Sequence, residues 1–328
     1  MAEEKAVSLT SIAESQKIPT KEFEKQYKDH LSNYHDWDQK DHSDKWLLFK
    51  ENIGKRLSID EVSISNGELY TIITNKAAKG GHGSLVAMVE GTKASDISAI
   101  LSQIPLKQRK QVEEITLDFC PSMESASILS FPGAEIVNDR FHTQQLVSDA
   151  VQELRIEERW EAIKEENEQV KIYREQKKKY RPKTYTNGDT KKQLLARSRY
   201  LLFKPNSKWT ISQNQRAIIL FKEFPRLEKA YHLSMMFRSF YEYSVNKKQA
   251  KLMLDRWYAK VEEKEFDSFL TTKEYIQNHE HTILNYFTNR STNASAESFN
   301  SKLKGFRALV RGVRDRKFFL FRVSKLFG

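Results

Sequence analysis

A single cysteine, Cys120, stands among 328 residues. One thiol can form no intramolecular disulfide and cannot build a cysteine-rich zinc site. Both staples are excluded, and a reducing compartment is expected. Long apolar runs are missing as well. No stretch of about 18 apolar residues occurs, so no helix is expected to span a membrane. Met1 is followed by Ala-Glu-Glu-Lys, not by the apolar core of a secretory leader. The expectation is a cytoplasmic protein without a membrane partner. No internal repeat is visible.

Charge is abundant and uneven. Charged residues make up 30% and hydrophobic ones 39%, a balance that suits a folded chain with a real core. Lys and Arg outnumber Asp and Glu by 55 to 44, a net charge of +11. Such an excess suits a polyanionic partner, because each neutralised phosphate releases counterions. From Ser301 to Gly328 nine residues are basic and one, Asp315, is acidic. A second run, Lys171 to Lys183, holds seven basic residues and one acidic one.

Four segments are expected: residues 1–49, 50–155, 156–288 and 289–328. In the first, Leu9, Ile12 and Ala13 keep helical spacing, Pro19 breaks it, and Thr20 opens a second helix with Phe23, Tyr27 and Leu31. This pair reads as an ordinary helical hairpin or as a short helix-turn-helix.

The second segment alternates. Leu57 to Ile64 is a strand, Asn66-Gly67 a hairpin turn, Leu69 to Thr74 a second strand, Gly80-Gly81 a turn, and Leu85 to Val89 a third strand. A helix over Thr92 to Ile104, a strand over Val112 to Phe119, a short helix over Ser122 to Leu129 and a strand at Ala134 to Val137 follow. Phe141 to Arg155 is then helical. Hairpins pair strands antiparallel and helical crossovers pair them parallel. The fold class is therefore α/β, with a five-stranded mixed sheet covered by helices. From Ile156 to Tyr286 the pattern is helical, and its aromatics read as helix-packing core. A helix over Asn293 to Leu309 and a basic, aromatic tail close the chain.

Within this frame Asp60 sits mid-strand among apolar and small residues, where a carboxylate is costly to bury unless it is paired or holds a cation. Asp118 ends the fourth strand of the reading. If the first and fourth strands are parallel neighbours, the two carboxylates converge and invite a hard divalent cation. Glu61 faces the other way, because strand side chains alternate. Local chemistry casts Glu297 as a capping partner in a first helical turn.

The order of elements resembles a ribonuclease-H-like fold, in which a later helix supplies a third acidic residue. Asp139-Arg140-Phe141-His142, followed by a helix through Val147, Ala150 and Arg155, is similar to a segment of the ISL-three family of DDE transposases from bacterial insertion sequences. That family carries a strand Asp, a second Asp shortly before this segment, a long helical insertion, and a late Glu followed by Asn and Lys. Ile59-Asp60-Glu61, Thr116-Leu117-Asp118 and Ala296-Glu297-Ser-Phe-Asn300-Ser-Lys302-Leu-Lys304 match in order, and Arg311-Gly312-Val-Arg314 resembles the closing basic run. The resemblance covers about Lys45 to the C-terminus.

It implies metal-dependent strand cleavage and strand transfer of an insertion sequence, with Asp60, Asp118 and Glu297 holding two Mg²⁺ or Mn²⁺ ions. Asp139 competes with Asp118 as the second ligand, and His142 is a candidate for the scissile phosphate or a structural residue. Lys302, Lys304, Arg307, Arg311, Arg314 and Lys177, Lys178 and Lys179 are expected to hold DNA phosphates, and Trp209 is a candidate for stacking on a flipped base. The partners implied are element ends, target DNA and further copies of the chain. Larger relatives carry a zinc segment and a fuller helix-turn-helix. With Cys120 alone the zinc segment is absent, so end recognition is expected from a second chain, or the protein is a shortened copy. Two other readings stay open: a ribonuclease-H-like nuclease without strand transfer, and an inactive transposase-derived DNA-binding protein.

Overall fold

Six strands form: β1 (Trp46–Leu48), β2 (Arg56–Ser63), β3 (Leu69–Asn75), β4 (Leu85–Glu90), β5 (Glu114–Leu117) and β6 (Glu135–Asn138). The structure, a computed structural model, describes residues 3–64, 67–310 and 315–328. Asn66 of the expected hairpin turn lies outside them, while Gly67 takes the left-handed φ of +80° that the turn requires. Chain contacts divide the protein into two units, residues 1–139 with 290–328, and residues 140–289.

In the first unit the helices before the interruption are α1 (Leu9–Ser15), α2 (Thr20–Gln26), α3 (Ala94–Leu101), α4 (Leu106–Arg109) and α5 (Pro121–Ser130). The strands lie in the order β1-β4-β3-β2-β5-β6. The hairpin strands β2, β3 and β4 pair antiparallel, and β5 joins β2 in parallel, followed by β6 in parallel on β5. The mixed sheet is thus as expected, but it has six strands, not five. The additional strand, β1, pairs antiparallel with β4 through Trp46↔Val89, Leu47↔Met88 and Leu48↔Ala87. A three-residue edge strand is too short to display a period of two, so pattern alone cannot reveal it.

The second unit is entirely helical. Its elements are α6 (Arg140–Glu175), α7 (Lys191–Arg197), α8 (Arg199–Leu202), α9 (Ile211–Glu223), α10 (Pro225–Tyr243), α11 (Lys247–Lys264), α12 (Asp267–Asn278), α13 (Glu280–Leu284) and α14 (Tyr286–Asn289). Helix α6 runs without interruption through the segment boundary expected at residue 155. Two Thr-x-x-Gln capping boxes, Thr190 with Gln193 and Thr210 with Gln213, start α7 and α9. Trp257 is fully buried, its ring 4.9 Å from that of Phe237 and its indole N–H donating to Leu233 O at 3.0 Å. Asp189 is buried beside Arg197 and 3.0 Å from Arg216. Burial pushes its carboxyl up, but the two guanidinium groups outweigh burial and hold it below the usual carboxylate range. Trp209 is half-buried in this unit, with its indole donating to Leu201 O at 2.8 Å and its ring beside Phe221 and Tyr231.

The chain then returns to the first unit with α15 (Ala294–Leu309) and α16 (Arg316–Phe327). Alternation along the strands gives the sheet two apolar faces. Leu57, Ile59, Ile115 and Leu117 pack on Ile97 and Leu101 of α3 and Met123 and Ala126 of α5. Val62, Tyr70, Ile72 and Met88 face Phe299, Leu303 and Phe306 of α15 and Phe319 and Phe321 of α16. Burying each such aromatic contributes about 1.5–3 kcal/mol relative to exposure.

The segment read as a basic tail is therefore largely core. Arg322 is buried, donates to Val7 O at 3.0 Å, and lies against the rings of Tyr27 and Phe306. Arg316 donates to Asp44 O at 2.6 Å and is paired with Glu90 at 2.9 Å. Aromatic residues at 318, 319 and 321 turn this cationic stretch inward, because their burial outweighs the preference of a few cations for water.

Candidate active site

The parallel register of β2, β5 and β6 sets the geometry. Ser58 pairs with Thr116, and Leu117 pairs with Asn138. Two residues beyond the first pair, Asp60 stands level with Asp118. One beyond the second, Asp118 stands level with Asp139, whose N–H continues the ladder to Leu117 O at 3.0 Å. Neighbouring strands lie about 4.8 Å apart, so three carboxylates form one row across the sheet. Asp60 shares the face of Ser58, whose hydroxyl meets that of Ser295 on α15 at 3.1 Å. Glu61 is exposed and on the opposite face, as alternation requires.

Helix α15 crosses this row and holds it with two asparagines. Asn300 donates its amide to Asp60 Oδ2 at 2.8 Å, while Asp60 Oδ1 accepts the Glu61 N–H at 2.8 Å. Asn293 donates to Asp118 Oδ1 at 3.3 Å. These asparagines are seven residues apart, two helical turns, and so share one face. The amide oxygen of each, Asn293 Oδ1 and Asn300 Oδ1, is buried without a hydrogen-bond partner.

Asp139 is placed differently. It is 2% exposed, and its Oδ2 accepts the backbone N–H of Asn293 at 2.5 Å. One carboxylate oxygen is thus committed to the entry of α15, whereas Asp60 and Asp118 are only partly buried.

Glu297 lies one turn beyond Asn293 and one turn before Asn300, on the face that α15 turns toward the row, and it is exposed. The capping role that local chemistry suggests for it does not form: the N-cap is Asn293, with no side-chain cap hydrogen bond. Among the described residues no three His, Cys, Asp or Glu side chains are gathered into a ready-made ligand set. The donor types nevertheless fit a hard divalent cation. Two level carboxylates and two partnerless amide oxygens are the oxygen ligands such an ion takes, and buried acceptors without donors are otherwise costly.

A largely shielded cation lies just beyond β3. Lys76 Nζ is bonded to the Thr116 hydroxyl and lies 3.4 Å from Glu114 Oε1. Burial pushes its ammonium below the usual lysine range, with Glu114 and Asp139 pulling the other way. Neither Lys76 nor Asn293 stands out in the sequence, since each depends on pairing between distant segments. Asn300 carries a local signal, because it is two turns from Asn293 within one predicted helix.

The remaining predicted residues are dispersed. Lys302 donates to Gly80 O at 2.8 Å, and the Arg307 guanidinium lies 5.0 Å from the Phe319 ring centre. Lys304 is exposed, as are Lys177, Lys178 and Lys179 after α6. Arg311 and Arg314 lie outside the described residues. His142 belongs to the helical unit, where its ring meets Phe141 edge-on at 5.6 Å. No helix of the described residues is long and apolar enough to cross a membrane.

No curated protein matches the chain. A family model described as a transposase, of the DDE type and the ISL-three family, matches residues 57–323, from the strand bearing Asp60 into α16. That span is well over half of the 328 residues and takes in every acidic residue of the row and Glu297. The chain belongs to the ISL-three family of DDE transposases.

Proposed function

We propose that this transposase cuts DNA strands at the ends of an insertion sequence and joins them to target DNA at one site built from Asp60, Asp118 and Glu297. The observation that carries the reading is the level pair Asp60 and Asp118, each steadied by an asparagine of the helix that carries Glu297. Two divalent cations, Mg²⁺ or Mn²⁺, held by these carboxylates would supply an activated water and stabilise the leaving 3′ oxygen. The protein's own part is orientation. Asn300 fixes one oxygen of Asp60 and the Glu61 N–H fixes the other, so that carboxylate needs little reordering to bind. Asp139 serves as the anchor of the α15 entry, which supports Asp118 as the second ligand. The exposed Lys304 and Lys177, Lys178 and Lys179 would add affinity for phosphates without reading sequence.

A strand-transfer assay on element-end DNA with Mg²⁺ tests the proposal. Cleaved ends and joined products should both appear, and both should vanish on chelation. Cut ends that never join would leave a nuclease. Binding to DNA with no cutting in Mg²⁺ or Mn²⁺ would leave an inactive descendant.

The asparagine supports carry a prediction of their own. Replacing Asn300 by Ala should lower cleavage about 10- to 100-fold, the usual effect of removing a group that orients a metal ligand. Raising the Mg²⁺ concentration should recover part of the loss. An Asn300→Ala protein with unaltered metal dependence would show that the amide only packs.

A further inference from the structure

One charged residue beside the active-site row takes no part in the proposed chemistry. Lys76 follows β3, whose last residue, Asn75, pairs with Leu57 of β2. Its side chain nevertheless ends on β5, one strand further across the sheet, bonded to the Thr116 hydroxyl and 3.4 Å from Glu114 Oε1. Holding a four-carbon stem in one path costs side-chain entropy. The charges are also withdrawn from water: the Lys76 side chain is 14% exposed and that of Glu114 3%. Stability alone is a weak reason for such a pair, since apolar residues of similar volume often replace one without loss.

Its position supplies another reason. Glu114, Thr116 and Asp118 alternate along β5 and share one face, the face of Ser58 and Asp60. At about 3.3 Å per residue, Thr116 lies about 7 Å short of the row and Glu114 about 13 Å short. The pair is therefore a dipole with its positive end toward Asp60, Asp118 and Asp139. Burial works against the charge of Lys76, whereas Glu114 and then Asp139, a member of the row, support it. Arg56, the other cation that its charge feels, is exposed.

We propose that Lys76 is the resident counter-ion of the carboxylate row, easing repulsion among the three aspartates in the metal-free protein and weakening their hold on divalent cations. A Mg²⁺ or Mn²⁺ ion must then bind against a fixed positive charge. A unit and a divalent charge about 7 Å apart alter a binding constant about tenfold even at the dielectric of water. Lys76 acts through the metal ligands, setting how tightly they take up an ion. This role rests on the metal-site reading above.

The test uses the full chain without DNA. Mn²⁺ is titrated at fixed ionic strength, and the free ion is read by electron paramagnetic resonance. Binding that disappears in Asp60→Asn identifies the row. Lys76→Met should raise that affinity about tenfold. Loss of a merely structural contact would lower it, so the sign separates the two roles. Lys76→Arg keeps the charge and should stay within about threefold of the unmodified protein. Lys76→Met combined with Glu114→Gln leaves no unpaired charge behind and should still bind more tightly than the unmodified protein, which keeps the measurement decisive if the single substitution unfolds the chain. Unchanged or weaker binding in both methionine variants overturns the counter-ion role, as does a Lys76→Arg protein that binds as tightly as Lys76→Met. If no form binds Mn²⁺ in a way that depends on Asp60, the metal site itself fails and the role with it.

Discussion

Asp60→Asn is expected to lower Mg²⁺-dependent strand cleavage about a thousandfold or more, the scale on which phosphoryl-transfer sites lose rate when one charge-stabilising group is removed. The substitution keeps the shape of the side chain and one oxygen acceptor. It deletes the charge that pairs with Asp118 across the β2–β5 register. The folded state should hardly notice. The Asp60 carboxylate accepts the Glu61 N–H and the Asn300 amide. Weakening either costs on the order of 1 kcal/mol. The measurement is gel-resolved cleavage of element-end DNA beside thermal melting. A rate within tenfold of the unmodified protein would remove Asp60 from the site. Asp139→Asn separates the two candidates for the second ligand. Its carboxylate accepts the Asn293 N–H in a buried setting, so its loss should register in melting as well as in rate.

Trp257→Ala should destabilise the helical unit by about 4 kcal/mol, within the range for a buried aromatic cut back to alanine. Trp257 is 0% exposed and packs on Phe237 and Tyr258, so the substitution opens a cavity where α10 and α11 meet. It also strands the Leu233 carbonyl that the indole satisfies at 3.0 Å. Urea denaturation followed by circular dichroism reads the loss as a lower midpoint with little change in slope. Trp257→Phe should recover roughly half, since it refills most of the volume without the donor. A loss below 1 kcal/mol for the alanine variant would mean that the neighbouring helices close over the gap.

Much of the sheet is legible in the sequence because its information is local. Alternation across Leu57 to Ile64 and turn residues after β2 and β3 identify the antiparallel strands. The helical crossovers between β4, β5 and β6 predict the parallel ones. If β5 is placed parallel beside β2, Asp60 and Asp118 converge, which is why the two are visible as candidates; the register that makes them level is read from the fold. What escapes is whatever depends on distant partners. The Asn293 amide becomes meaningful only once α15 lies beside β5. The bond by which the Asp139 carboxylate accepts a backbone N–H 154 residues away is equally invisible in the sequence. The cationic stretch after residue 315 reads as a solvent-exposed arm because charge is counted more easily than burial. Its phenylalanines, spaced for a helix buried on more than one side, carry the contrary signal. Glu297 remains the least legible: family order singles it out, while no hydrogen bond of its side chain does.

The sheet-bearing unit is assembled from two stretches of chain with 150 helical residues between them, Arg140 to Asn289. During synthesis this has a directional consequence. The strands emerge first, but the face bearing Val62, Tyr70 and Ile72 has no α15 or α16 to cover it until those two helices leave the ribosome. At about 5–20 residues per second, that interval lasts some ten seconds or more. Asp60 and Asp118 are present throughout it, yet Asn293, Glu297 and Asn300 arrive only at its end. A nascent or prematurely terminated chain thus has a sticky, half-covered sheet, and Asp60 and Asp118 lack the asparagines that bond them. The order of the sequence itself delays closure of this sheet face until α15 and α16 have been made.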